Sequence, residues 1–156
     1  FVMAGLVEEL ARWSLLAGII YRWEELDEPL DGIIYGVALA LGFGTVENAL
    51  IVVSGDDLKI GLLRAVFSVP GHSLFGATMG AFIGAARHQA RSSGQRARWL
   101  LLALLVPTLV HGLYDFLLLS LVGPAMYAVV AVGSLALWGY VLRRVRQLRD
   151  RSPFKR

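Results

Sequence analysis

The chain has 156 residues, 56% of them hydrophobic, and a formal net charge of +3; its mean hydropathy is +0.62. A soluble domain of this size is about 45–50% apolar, so composition places the chain in the membrane class before any motif is read. Cysteine is absent, which excludes disulfides, thiolate metal sites and a cysteine nucleophile.

Five apolar spans follow in chain order: A over about 1–21, B over 30–53, C over 60–86, D over 99–122 and E over 124–142. Each is near or above the ~20 residues that cross a bilayer core. They must be helical, because a lone lipid-exposed strand leaves backbone groups unpaired. The expected fold is an all-α, multi-pass bundle of about five membrane-spanning helices. Residues 1–142 form one transmembrane domain and 143–156 a basic cytoplasmic tail. Phe1 to Val7 already read as helix, with no charged n-region or cleavage site before them. That pattern is not a signal peptide, and further residues are expected upstream.

The connectors set the orientation. A–B carries Glu24, Glu25, Asp27 and Glu28; B–C carries Asp56, Asp57 and Lys59; D–E is little more than Gly123. These loop acids read as solvated charges. C–D carries Arg87, Arg91, Arg96 and Arg98, and the tail Arg143, Arg144, Arg146, Arg149, Arg151, Lys155 and Arg156. Five spans bring A–B, C–D and the tail to one side, which the positive-inside rule makes cytoplasmic. The expected location is the cell membrane with the C-terminus inside. The basic loop and tail are expected to touch anionic lipid, and with no nucleic-acid fold beside them they do not indicate nucleic acid.

Inside the spans lie residues that apolar helices rarely carry: Glu8, Glu9 and Arg12 in A, Glu47 and Asn48 in B, Arg64 and His72 in C, His111 and Asp115 in D. A charged side chain at mid-membrane costs about 3 kcal/mol on insertion scales, so these groups should face one another rather than lipid. At about 1.5 Å per residue, Glu8, Glu9, Glu47 and Asp115 lie roughly 12 Å from the outer face. His111 is one turn deeper and His72 about 18 Å down. Gly32, Gly36, Ala40, Gly44 and Asn48 recur every four residues in B, as do His72, Gly76, Gly80 and Gly84 in C. Small residues at this spacing mark close helix contacts in membranes. Pro70 and Gly71 can kink span C beside His72.

Structural roles are open to each of these residues. Glu8, Glu9 and Arg12 have the spacing of an intrahelical ion pair, Glu47–Asn48 suits an interhelical clamp, and Asp115 can hold the His111 tautomer. Together, two imidazoles and several carboxylates at one depth suit water activation. A carboxylate in a low-dielectric site serves as general base, and histidine stabilises an oxyanion or protonates a leaving amine. The same set can hold zinc through Glu8, Glu47, His72 and His111. No H-E-x-x-H is present. Tyr114–Asp115 is similar to half of an aspartyl intramembrane protease pair but has no Gly-x-Gly-Asp partner, and Ser73 beside His72 lacks a rhomboid setting.

Four ordered segments carry a resemblance: Glu8-Glu9-x-x-Arg12; Asp31 to Gly36 continuing through Gly42-Phe43-Gly44-Thr45-Val46-Glu47-Asn48; Arg64 through Pro70-Gly71-His72 to Gly76; and His111-Gly112-Leu113-Tyr114-Asp115. With them the chain resembles the PrsW family of intramembrane proteases, within the superfamily that includes CAAX prenyl endopeptidases. The resemblance implies that 1–142 is a protease domain. It also implies a glutamate-dependent hydrolase in which Glu8 or Glu9 activates water and His72 and His111 complete the site. Asp115 and Glu47 are further catalytic candidates, with Arg12, Asn48 and Arg64 supporting them. It further implies a membrane-anchored protein substrate, such as an anti-sigma factor in some members, and leaves metal dependence open. Arg12 stands where a lysine is common and Asp115 where superfamily members often have asparagine. The alternatives are a non-catalytic scaffold of the same superfamily, like the APH subunit of γ-secretase, or a proton- or ion-translocating protein. The latter is disfavoured by the apolar runs 37–41 and 100–106, which carry no polar path to the cytoplasm.

Overall fold

A computed structural model describes residues 2–55, 58–120, 124–150 and 152–154. Asp56, Asp57, Gly123, Arg151, Lys155 and Arg156, assigned above to connectors and tail, lie outside the described residues. The described residues form five α-helices with no strand among them: α1 (Val2–Gly18), α2 (Pro29–Val53), α3 (Leu58–His88), α4 (Ser93–Ser120) and α5 (Pro124–Asp150). A short 3₁₀ turn over Ile20–Arg22 follows α1. Each helix coincides with one expected span, and α5 continues through the basic segment to Asp150.

Local chemistry sets the ends. Pro29 opens α2 at a position where its missing N–H costs nothing. Asp31 then accepts from the backbone N–H of Glu28 at 2.8 Å and of Asp27 at 3.1 Å, which satisfies donors at the helix entry. At the other end, Ser54 Oγ donates to Leu50 O at 2.8 Å, and Gly55 takes φ +100°, which glycine adopts without steric cost. The A–B loop is tied to the end of α3: Arg87 donates to Tyr21 O, and His88 Nε2 donates to Leu26 O at 3.1 Å.

The glycine seam is the main packing device. Gly32 and Gly36 of α2 lie against Gly76, Gly80 and Gly84 of α3 so closely that a Cβ on any of them would collide with facing backbone. The helices thus meet backbone to backbone in an antiparallel hairpin. α1 rests chiefly on α4, also antiparallel: Gly5 lies opposite Gly112, and Trp13 Nε1 donates to Leu100 O at 2.9 Å. α3 continues through Pro70 without a break. Leu16, Leu26, Met79, Ile83 and Ala103 form the core at the arginine-rich end. A second cluster, around Ile33, Leu74, Ala77, Val141 and Leu148, fastens α5 to α2 and α3.

The outer surface is apolar, with Val7, Leu10, Ile34, Leu50, Leu101, Leu109 and Leu135 among its exposed side chains. α2, over Pro29–Val53, and α4, over Ser93–Leu117, are each long and apolar enough to cross a membrane, at mean hydropathy 1.8. α1 is shorter at 17 residues and carries Glu8, Glu9 and Arg12.

Candidate active site

Glu8, Glu9 and Arg12 lie on one turn of α1, and the arginine draws both carboxylates together. Arg12 Nη2 is 2.9 Å from Glu8 Oε2 and 3.1 Å from Glu9 Oε1. The Arg12 and Glu9 side chains are 1% and 0% exposed, whereas Glu8 is 24% exposed. Arg12 also sits over the Phe43 ring of α2, 4.9 Å from its centroid, a cation–π contact that suits a desolvated guanidinium. The intrahelical ion pair expected from spacing is therefore present, and it is part of a larger cluster.

His111 of α4 enters the same cluster. Its Nδ1 is 3.0 Å from Glu9 Oε1. Donation from Nδ1–H to this carboxylate leaves the lone pair on Nε2. That nitrogen lies 3.5 Å from Asp115 Oδ2 and 3.9 Å from Glu8 Oε2. Glu8 and Glu9 thus face the two edges of one imidazole.

His72 of α3 carries a parallel arrangement. Its Nε2 is 3.1 Å from Glu47 Oε2, and Arg64 Nη2 holds the other Glu47 oxygen at 2.7 Å. The same nitrogen is 3.5 Å from Ser68 Oγ, while Nδ1 is buried without a hydrogen-bond partner among the described residues. The His72 and His111 rings meet edge to face at 5.4 Å. Gly44 backs the His72 ring, where a Cβ would stand 2.7 Å from Cδ2. Asn48 Nδ2 donates to Gly61 O across the α2–α3 hairpin at 3.1 Å, the clamp its position suggested.

Every candidate side chain but Asn48 thus falls into two linked clusters, Arg12–Glu8–Glu9–His111–Asp115 and Arg64–Glu47–His72. Asn48 braces the hairpin beside the second. Two aromatic members were not singled out from the sequence. Phe75 stacks on His111 at 4.6 Å, and Phe43 lies under Arg12. Phe75 is three residues after His72 and shares its helix face, a signal that was available.

Glu8, His72 and His111 each offer a ligand atom, and these lie within 4.8 Å of one another. One carboxylate and two imidazoles are the protein donor set of a catalytic zinc site. The buried, unpartnered His72 Nδ1 also fits such a group. Glu47, the fourth candidate ligand, lies outside this group and is engaged by Arg64 and His72.

The family model described as PrsW family intramembrane metalloprotease matches residues 1–142. The chain belongs to the PrsW family. Protease PrsW of Bacillus subtilis (strain 168) is 37% identical over 150 residues, 96% of this chain and 66% of that protein. Protease PrsW of Geobacillus kaustophilus (strain HTA426) is 35% identical over 147 residues, covering 94% and 63%. Protease PrsW of Clostridioides difficile (strain 630) is 41% identical over 122 residues, covering 76% and 51%. The chain therefore spans between about half and two-thirds of the length of these PrsW relatives. No solved structure matches it.

Proposed function

We propose that this chain is the multi-pass core of an intramembrane endopeptidase that hydrolyses a peptide bond of a membrane-anchored protein. The observation that carries this reading is the convergence of His72 and His111, from α3 and α4, on Glu8 and the buried Glu9–Arg12 pair of α1. A purely structural bundle has no use for so many ionisable groups at membrane depth, where each is costly. A scaffold role would not require paired carboxylates beside both histidines.

Glu8 is the general base. It is the more accessible of the two adjacent acids, and it takes a proton from water as that water attacks the scissile carbonyl. Glu9 is a positioning residue: it accepts from His111 Nδ1 and so fixes which nitrogen faces Glu8. Glu47, held by Arg64, sets a carboxylate beside His72 Nε2. Arg12 neutralises the α1 acids, and Asp115 flanks His111. Glu8 then delivers the proton it took from water to the leaving amine; His72 donates to the developing oxyanion from its unpartnered Nδ1, and His111 Nε2 accepts the other hydrogen of the attacking water. A second reading is favoured by the donor set: zinc held by Glu8, His72 and His111 would polarise the carbonyl and acidify bound water. Glu9 would then orient His111 through its Nδ1–H, with Asp115 beside the metal-facing nitrogen.

The arginine-rich ends of α3, α4 and α5 lie at the cytoplasmic face, on anionic lipid. The substrate class is a single-span membrane protein of the anti-sigma-factor kind, cut in the outer half of the membrane. Residues 1–142 form the protease domain and 143–156 the tail.

The test uses purified protein, a single-span peptide substrate and metal analysis. Glu8→Gln and His72→Ala should each lose at least about 100-fold in kcat/KM, the scale of general acid–base catalysis. Cleavage at the parental rate by both variants would sink the reading. Stoichiometric zinc that is lost in both His72→Ala and His111→Ala selects the metal form.

A further inference from the structure

We propose that the cavity between α3, α4 and α5 is a substrate subsite for a large apolar side chain, two or three residues from the scissile bond. This rests on the peptidase reading above. The cavity measures about 420 Å³, within the roughly 300–1,000 Å³ typical of ligand sites. Its wall includes Gly71, Leu74 and Phe75 of α3, Val110 and Tyr114 of α4, and Gly133 of α5.

The cavity adjoins the candidate active site across one ring. Phe75 stacks on His111 at 4.6 Å, meets Tyr114 edge to face at 5.7 Å, and lines the cavity. A peptide bond offered for hydrolysis must leave its helix, because helical carbonyls are already engaged in hydrogen bonds. An extended chain advances roughly 3.3 Å per residue. A substrate whose reacting carbonyl lies beside His111 therefore carries a side chain past Phe75 within two or three residues.

Two features keep this space open. α5 is fastened through Leu137, Trp138, Val141, Val145 and Leu148, toward its C-terminal end. Nearer its start stands Gly133, where an added Cβ would meet no described atom within 4 Å. The opposite wall is Gly71, where a Cβ would make only ordinary contact with the Tyr114 ring at 3.6 Å. A lipid chain would suit the same apolar wall, but a lipid site has no reason to share its wall with the stacking partner of His111.

The experiment uses the full chain in nanodiscs and single-span peptides carrying Ala, Leu or Phe at the position three residues from the cut. The parent should favour Leu and Phe over Ala by about 10-fold or more in kcat/KM, since a methylene in an apolar pocket discriminates roughly 10- to 200-fold. Gly133→Leu, which fills the cavity, should reverse that ratio, and Gly71→Ala should narrow it from the facing wall. Gly139→Leu, on the same helix at a position also open to 4 Å, should keep the parental ratio. A Gly133→Leu variant with an unchanged ratio overturns the subsite.

If the parent cuts none of the peptides, the hydrolase reading fails, and the subsite is judged by photocrosslinking. A photo-leucine at the same peptide position should label α3–α5 residues of the cavity and lose that labelling in Gly133→Leu. Labelling there by a photoreactive lipid but not by the peptide assigns the cavity to lipid and overturns the proposal.

Discussion

Arg12 is 1% exposed and reaches two carboxylates through one nitrogen. Its removal leaves Glu9 fully buried without its cation. Breaking a buried pair from one side costs about 3–5 kcal/mol. Arg12→Met should therefore lower the thermal midpoint in detergent far more than Arg12→Lys, which retains the charge but not the fork; equal midpoints would contradict the pairing. Glu9→Gln makes a different test. It keeps the shape but not the charge-assisted bond to His111 Nδ1, so kcat should fall with KM little changed. The division of labour between Glu8 and Glu9 was not legible in the sequence. Adjacent residues point about 100° apart on a helix, and which one meets α4 depends on how α1 is rotated against its neighbour. The Arg12 pairing and the His111–Asp115 face were legible, because both depend only on spacing within one helix.

At the scale of elements, the α2–α3 hairpin carries the clearest prediction. A methyl group on Gly36 or Gly80 would run into the facing backbone, and overpacking of this kind costs typically 1–3 kcal/mol. Gly36→Ala and Gly80→Ala should each reduce thermal stability, whereas Gly42→Ala, whose Cβ would meet no described atom within 4 Å, should not. Gly44→Ala should act differently: its Cβ presses on the His72 ring, so activity should fall more than stability. The four-residue glycine period revealed this seam from the sequence, because it is a property of one face of one helix. The pairing of α1 with α4 was not legible, since a helix's periodicity reports a face and not the partner that covers it. The cavity beside α5 was hidden for a related reason: it arises from where α5 is fastened, which no residue of α5 encodes alone.

For the whole molecule, the distribution of arginine makes the orientation testable. The chain has no cysteine, so single cysteines report without background. Ser92→Cys, between α3 and α4, should react with an impermeant maleimide only from the cytoplasmic side, and Ser54→Cys only from the outside; the reverse pattern would invert the topology. Number and order of the helices were legible from hydropathy, because each apolar run is its own signal. The two-cluster site was legible only as a set of residues at a common depth. Which carboxylate serves which imidazole is decided by helix rotation, not by depth.

The pairing of α1 with α4 also has a consequence in time. Glu9 and the imidazole it engages are 102 positions apart, and α2 and α3 must be made between them. A ribosome that has delivered α3 but not α4 has produced both α1 acids, Glu47 and His72, but not His111. The nascent chain therefore lacks one of the two imidazoles of the site while it is still being inserted among other half-made membrane proteins. Chain order itself acts as a delay, holding the chemistry back until α4 has entered the bilayer.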